Sequence, residues 1–377
     1  MIFKMEQNKK VLISGASFAG LTLAYWMNQL GYQVTIVEVG GSLKKGGTPV
    51  DIKDRTIEIV KRMGIYEQIK AQRVGPEKWE FKNSADETGY SLVMKQPAEA
   101  FSADEFEIER DTLLEMLYKL IEGEVELIFN NSVAELLETD EHVEVTFKDG
   151  KKENYLHIFA CDGIHSNVRK IWFGKEAEYV HFLGQYFSIA VVDKLLVDNG
   201  TYQMYSIANK GLALYAHNKK TDVIFTFRPD REIIYDFRNQ EELKTILSDQ
   251  MRGMGWRAQE LERELLDSSA FYFDAFAQVK MSSWSKGKVA LVGDAGYCAS
   301  PAAGMGGSLA IIGATALADA LSNADGDYLK AFELYDKNLR PFIDEIQAMA
   351  LQTLDQLLPA TDQQAMDMWQ NGLSFLS

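Results

Sequence analysis

The stretch VLISGASFAG, Val11 to Gly20, constrains the fold more than any other part of the chain. Val11, Leu12 and Ile13 read as a short buried strand. Leu21 to Leu30 read as a helix with a broad apolar face. The turn between them carries Gly15 and Gly20 at the outer positions of a G-x-G-x-x-G pattern, with Ser17 at the middle one. Gly15 permits the tight turn, and Gly20 lets helix and strand pack closely. Ser17 is small enough for backbone N–H groups to approach a pyrophosphate. That group would sit at the helix N-terminus, where free N–H groups and the helix dipole favour anions. Gln33 to Val37 reads as a second parallel strand, and Glu38 ends it 18 residues after Gly20. A carboxylate there suits an adenosine ribose diol. The frame is that of a dinucleotide-binding unit, and it does not separate FAD from NAD(P).

Composition narrows the partners. A chain of 377 residues accommodates two or three domains, or one long domain with an insertion. The net charge of −16 argues against nucleic acid or an anionic membrane as a partner. Cys161 and Cys298 lie far apart, and the five histidines show no ligand spacing. Neither a metal site nor a disulfide framework is expected, which fits a cytoplasmic protein. The opening MIFKMEQNKK lacks the apolar core of a signal peptide. Gly296 to Ala318 carries no formal charge, but Pro301 and several glycines make it a turn plus a buried helix rather than a membrane span.

The chain changes texture along its length. Lys53 to Ile69 reads as helical, and Arg110 to Leu120 as an amphipathic helix. Glu126–Phe129, Val143–Phe147 and Tyr155–Ala160 read as strands, with a turn at Asp149-Gly150. From about Val180 to Phe276 the segments are short, aromatic and β-rich, which predicts an antiparallel second domain with helices near Glu241–Met251 and Ala258–Leu266. Lys288 to Val292 returns to buried strand, followed by helices over about Gly307–Ser322, Tyr328–Leu357 and Asp362–Phe375. The expected division is a discontinuous nucleotide domain (1–77, 98–179 and 280–358), a β-rich substrate domain (78–97 and 180–279) and a C-terminal helix (359–377).

Two further motifs complete the pattern. ACDGIHSNVR, Ala160 to Arg169, ends a strand in Asp162-Gly163 and opens a helix near Ser166. GKVALVGDAGYCASPAAGMGG, Gly287 to Gly307, ends a strand in Gly293-Asp294 and leads through a Pro- and Gly-rich loop into an apolar helix. Each sets a carboxylate at the carboxyl end of a strand, where open α/β sheets bind ligands. With these motifs in order, and Arg110 between the first two, the chain resembles the class A flavoprotein monooxygenases, the para-hydroxybenzoate hydroxylase-like group. The segments GGTPVDIKDRTIEIVKRMG (Gly46 to Gly64) and IERDTL (Ile108 to Leu113) carry a closer similarity to the tetracycline-inactivating monooxygenases.

The resemblance implies an α/β fold: a Rossmann-like FAD-binding domain of the GR2 type, an inserted antiparallel β-sheet substrate domain, and C-terminal helices. It implies FAD as cofactor. Gly15, Ser17, Phe18, Ala19 and Gly20 would meet its pyrophosphate, Glu38 its ribose, and Arg110 would reach it from a helix start. Asp162 and Gly163 would lie near the pyrophosphate and influence pyridine-nucleotide use. Gly293 and Asp294 would bind the ribityl or pyrophosphate region, and Pro301, Gly304, Gly306, Gly307 and Ser308 would follow the isoalloxazine edge. Two departures stand out: Gly296-Tyr297 where the group often has Ala-His, and Ser308 and Gly313 where it often has Asn and Asp.

The implied reaction consumes NADPH or NADH and O2, and transfers one oxygen from a flavin C4a-hydroperoxide to a small aromatic or polycyclic compound. No protein catalytic triad is expected, because the cofactor carries the chemistry. The substrate would lie against the middle sheet. Alternation puts Tyr215 and His217 on one face, and Phe225 and Phe227 on one face. The resemblance implies that Asp51 lies where the family's flavin-proximal strand enters the same site. Tyr205 and Arg228 also fall on these strands. Flavin reductase or halogenase chemistry on the same scaffold, or flavin binding without turnover, are the alternatives; the W-x-W-x-I-P segment of the halogenases is absent. A monomer or homodimer is expected.

Overall fold

The computed structural model describes residues 9–94 and 105–373. The boundary expected at 97/98, residues 1–8 of the opening segment, and the end of the helix expected to reach Phe375 lie outside them.

Short apolar strands build the first sheet. Its order is Ser285–Lys286, Val289–Leu291, His157–Ala160, Lys10–Ser14, Gln33–Val37 and Glu126–Ile128. All pairs are parallel except that of the short edge strand Ser285–Lys286. Val11 to Ile13, Ile158 to Ala160 and Val289 to Leu291 have no exposed surface, as a sheet covered on both faces requires. The helix Phe18–Gln29 packs against the helix Gly306–Asn323, and the long helix Tyr328–Leu357 packs behind that. A three-stranded antiparallel meander, Val133–Glu138, Val143–Phe147 and Lys152–Tyr155, completes this region, with the expected turn at Gly150.

A seven-stranded sheet follows the order Phe271–Val279, Val180–Val192, Lys220–Phe227, Lys210–His217, Thr201–Ile207, Lys78–Lys82 and Thr88–Val93. It is antiparallel as expected, with one exception: Thr201–Ile207 pairs with Lys78–Lys82 in parallel. Helices Gln240–Met251 and Ala258–Asp267 cover its outer face. The last helix, Asp362–Asn371, starts on a Thr361 cap and packs on the Lys78–Val93 hairpin.

Two local expectations change. The helix read over Lys53–Ile69 is two helices, Arg55–Arg62 and Tyr66–Ala71, broken at Gly64, whose φ of +77° ends the first. A small ribbon, Val50–Ile52, Phe106–Ile108 and Arg73–Val74, is expected from the sequence only at its Asp51 strand. It lies against the start of the Gly306–Asn323 helix: a Cβ on Gly307 would stand 2.4 Å from Val50 Cγ1. Among the described residues no helix is long and apolar enough to cross a membrane.

Candidate functional site

Three strand ends meet at one turn. Gly15 has φ +103°, and a Cβ there would stand 2.4 Å from Cys161 O and 3.0 Å from Asp162 Cα. A Cβ on Gly20 would stand 1.9 Å from Gly15 O. A Cβ on Gly293 would come within 3.2 Å of Ala19 Cβ. The first and second motifs therefore touch through backbone where no Cβ fits, and the third packs on Ala19 at a glycine held at φ +67°. The helix that starts at Phe18 has no acidic residue in its first turn and no side-chain cap from Ser17. Its N-terminal N–H groups are left for an anion.

Positive charge stands beside that helix end. Arg110 Nη2 donates to Ser17 Oγ at 3.2 Å, and Nη1 donates to Lys44 O at 2.8 Å. The guanidinium lies 5.1 Å from the Phe18 ring centroid. Lys44 Nζ stands 4.5 Å from the Tyr272 ring centroid. Burial pushes the pKa values of Arg110 and Lys44 down, and for Lys44 the Arg110 charge adds to that. An anion between them would relieve both. Glu38 accepts from Ala16 N at 2.9 Å and from Gly40 N at 2.8 Å, so it clamps the turn to the following loop. Each carboxylate oxygen keeps a lone pair for a diol. A glycine cradle, a free helix end, two cations and an acid at the second strand form a donor set that fits FAD.

The second motif plays a more internal part than expected. Asp162 accepts from Ser166 Oγ, Asn167 N and Val168 N, capping the helix Asn167–Trp172. Its backbone borders the turn while its carboxyl group serves its own helix. His165, three residues on, ties the two sheets together. Its Nδ1 lies 2.9 Å from Glu176 Oε1, its Nε2 lies 3.2 Å from Asp274 Oδ2, and its ring stacks on Phe237 at 4.0 Å. Burial opposes its charge, but Asp274 and Glu176 outweigh that and raise its pKa to about 9.

Asp294 follows Gly293 and has no ion-pair partner among the described residues. Burial raises its carboxyl above the ordinary range, and Asp274 adds to the effect. Pro301, Gly304 and Gly306 are exposed, Gly307 is half-buried, and Ser308 Oγ donates to Asp51 O at 2.6 Å. The two sequence departures explain each other. A Cβ on Gly313 would stand 1.7 Å from Tyr297 Oη, so the tyrosine occupies the notch that the glycine leaves. Tyr335 Oη bonds Tyr297 Oη at 2.8 Å and donates to Leu291 O at 3.1 Å, pinning the loop to the sheet.

Strand register decides which face of the seven-stranded sheet looks inward. Trp79, Tyr202, Tyr215 and Asp222 are successive cross-strand partners and form one row, with His217 beside it. That face carries the polar groups that meet the ribbon: His217 Nδ1 lies 3.1 Å from Glu109 Oε1. Phe225 and Phe227 point the other way, into a core with Leu247, Leu261 and Phe273. The expectation of a pocket role for those two is corrected. They are fully buried beneath the covering helices. Tyr205 pairs with Leu212 on that same outer face. Arg228 Nη1 donates to Asn209 Oδ1 and holds a turn.

Asp51 does reach the loop: a Cβ on Gly304 would stand 3.6 Å from its Oδ2. The sequence reading missed Glu107, Asp222 and Lys44. Glu107 alternates between buried Phe106 and Ile108, a signal three residues long and too short to read as a strand.

The profile of the FAD binding domain family matches residues 8–330. A flavin-dependent monooxygenase of Legionella longbeachae is 36% identical over 350 residues, covering 91% of this chain and 88% of that protein. The crystal structure of the tetracycline destructase Tet(51) superposes with a TM-score of 0.86 at 33% identity, covering 96% of this chain and 94% of that one. That of Tet(55) gives 0.84 at 32% identity, covering 98% and 99%.

Proposed function

The chain belongs to the FAD binding domain family as a flavin-dependent monooxygenase, and from that premise we propose that it uses NAD(P)H and O2 to hydroxylate a polycyclic aromatic compound of tetracycline type. One observation carries the proposal: three strand ends converge on a glycine cradle, and the ribbon links the helix that follows the third to a polar, aromatic sheet surface. Bound FAD supplies hydride acceptance and oxygen activation. The chain's own residues hold and enclose it. The Gly15–Gly20 turn and its helix end hold the pyrophosphate, Arg110 and Lys44 balance its charge, and Glu38 takes the ribose. The Pro301–Ser308 loop would border the ring system, where the free N–H groups of the Gly306–Asn323 helix would favour negative charge. Asp51, Tyr215 and His217 line the substrate side. The ribbon and the seven-stranded sheet exclude water and fix the substrate near the ring.

Anaerobic mixing of FAD-loaded protein with NADPH or NADH, with and without tetracyclines, followed by isotopically labelled O2, tests this. Bleaching of the flavin band that substrate accelerates, and a product heavier by one labelled oxygen, are expected. Retained FAD with no labelled product across the panel overturns the proposed reaction.

A further inference from the structure

The ribbon brings an unbalanced set of charges beneath the seven-stranded sheet. Its register places Asp51 directly opposite Glu107. Glu109 follows at the start of the Arg110 helix, and Asp222 lies fully buried on the facing sheet. Three cations answer these four acids. Lys53 Nζ is 3.4 Å from Asp51 Oδ2, and Lys220 Nζ is 3.9 Å from Glu109 Oε2. His217 stands between Glu109, at 3.1 Å, and Asp222, at 3.2 Å. Burial opposes charge on the ring, but Asp222 and Glu109 raise its pKa. Even with His217 charged, the group is one positive charge short. Glu107 is the member with no basic side chain in ion-pair reach among the described residues. Glu105 adds negative field at Asp51.

A second observation points to a ligand. Tyr215 is 4% exposed and its hydroxyl is turned toward Glu107, but it makes no hydrogen bond of ordinary geometry among the described residues. Oδ1 of the fully buried Asp222 is likewise unpartnered. Native interiors rarely leave such atoms unsatisfied without a reason. The aromatic row adds to this: Trp79 stacks on Tyr202 at 4.2 Å, and Tyr202 lies 5.7 Å from Tyr215. Rings so placed stabilise a nearby cation. Asp51 keeps a quarter of its side-chain surface open and borders Gly304, so the group starts where a substrate must arrive.

We propose that Glu107, Asp51 and Tyr215 form a subsite for a protonated amine on the substrate, whose N–H groups donate to the two carboxylates and the tyrosine oxygen. The subsite rests on the monooxygenase reading, since it lies on the substrate side of the cofactor loop. Burial first, and Asp51 next, raise Glu107 to a pKa of about 8. An arriving ammonium therefore replaces a proton on Glu107, and binding releases that proton at neutral pH.

The test uses FAD-loaded protein and three matched probes: phenethylamine, phenethyl alcohol and hydrocinnamate. Binding is followed by the flavin difference spectrum and by calorimetry in two buffers of different ionisation heat. The amine is expected to bind about tenfold tighter than the alcohol, with the carboxylate weakest and proton release confined to the amine. Glu107→Gln should bring amine and alcohol to parity and abolish the release. Tyr215→Phe should weaken the amine alone. Equal affinity of wild-type protein for amine and alcohol overturns the proposal, as does amine preference that survives in Glu107→Gln. The wild-type comparison needs no variant, so poor folding of a mutant leaves it decisive. FAD content and NAD(P)H-driven O2 uptake are recorded on the same samples. Retained FAD without amine preference removes the subsite alone, whereas failure to bind FAD removes the monooxygenase reading beneath it.

Discussion

The cofactor cradle and the inner face of the seven-stranded sheet are built from different materials. The cradle is backbone: three glycines whose missing side chains let strand ends meet, and a helix end with free N–H groups. The sheet face is side chain: Trp79, Tyr202, Tyr215 and Asp222 from four strands, facing Asp51 and Glu107 from two more. A site made of backbone cannot change without changing the fold. A site made of side chains can be rewritten while the sheet stays intact, which is how one scaffold serves many substrates.

The contrast breaks most visibly at Gly20. Its added Cβ would meet a backbone oxygen at 1.9 Å, and no rotamer relieves that. Gly20→Ala is expected to abolish FAD retention and destabilise the fold by about 3 kcal/mol or more. The flavin-to-protein absorbance ratio after gel filtration, with denaturant melts, measures both; a yellow Gly20→Ala protein of ordinary stability defeats the backbone account. The two faces of the sheet give the next effect. Phe225→Ala opens the outer core and should cost about 4 kcal/mol. Whatever fraction folds should bind FAD and substrate with unchanged affinity, whereas Tyr215→Phe should alter substrate binding with little loss of stability. Reversal of that pattern would mean the inward face has been misidentified.

The same contrast explains what could be read from the sequence. The glycine motifs were legible because each is a contiguous run whose glycines meet a geometric need; Gly15 and Gly20 fall at close backbone contacts, and Gly293 has a positive φ beside Ala19. The α/β class, the β-rich insertion and the long C-terminal helices followed from periodicity. The inward face was not legible. Alternation paired Tyr215 with His217 and Phe225 with Phe227, but only the cross-strand register shows that the two pairs oppose each other. Glu107 was invisible, since its strand is three residues long and its partner Asp51 lies more than fifty positions away. What the carboxyl group of Asp162 does was not legible for a related reason. A strand-end acid serves a ligand or caps the next helix with equal ease, and here it caps.

Arg110, with Lys44 and Glu38, is where the cradle relies on side chains. Its guanidinium bridges Ser17 Oγ and the Lys44 and Gly46 carbonyls, so it both shapes the loop and supplies charge. Arg110→Ala should weaken FAD binding by about 1.5–3 kcal/mol, the range for a hydrogen bond to a charged group. Arg110→Lys should recover part of the charge but not the forked geometry. Fluorescence titration of apoprotein with FAD separates them. Equal affinities for all three proteins would mean that the Arg110 side chain adds nothing to FAD binding, and would shift the weight toward backbone.

The smallest effect compares two half-buried titrating groups, one in the tie between the sheets and one on the ribbon beneath the inward face. His165 is raised from 6.5 to about 9 by partners that favour its charge. Its contribution is complete below pH 6.5 and disappears as pH rises through 9. Glu176, lowered to about 2, keeps its share above pH 4.5 and loses it only as pH falls through 2. Glu107 is raised from 4.5 to about 8 by burial and Asp51, with no cation to pair it. Its cost to folding is nil below pH 4.5 and grows up to pH 8. His165→Gln should therefore lower stability at pH 6 by about 2 kcal/mol and converge on the parent above pH 9. Glu107→Gln should match the parent near pH 4.5 and exceed it at pH 8 by a similar amount, about 2 kcal/mol. Melting curves of both variants across this range read the signs directly. Opposite signs mean that the tie between the sheets was selected for stability, while the inward face keeps a destabilising acid for what it binds. If Glu107→Gln is less stable than the parent at pH 8, Glu107 is a structural residue and the distinction between the two regions fails at its substrate side.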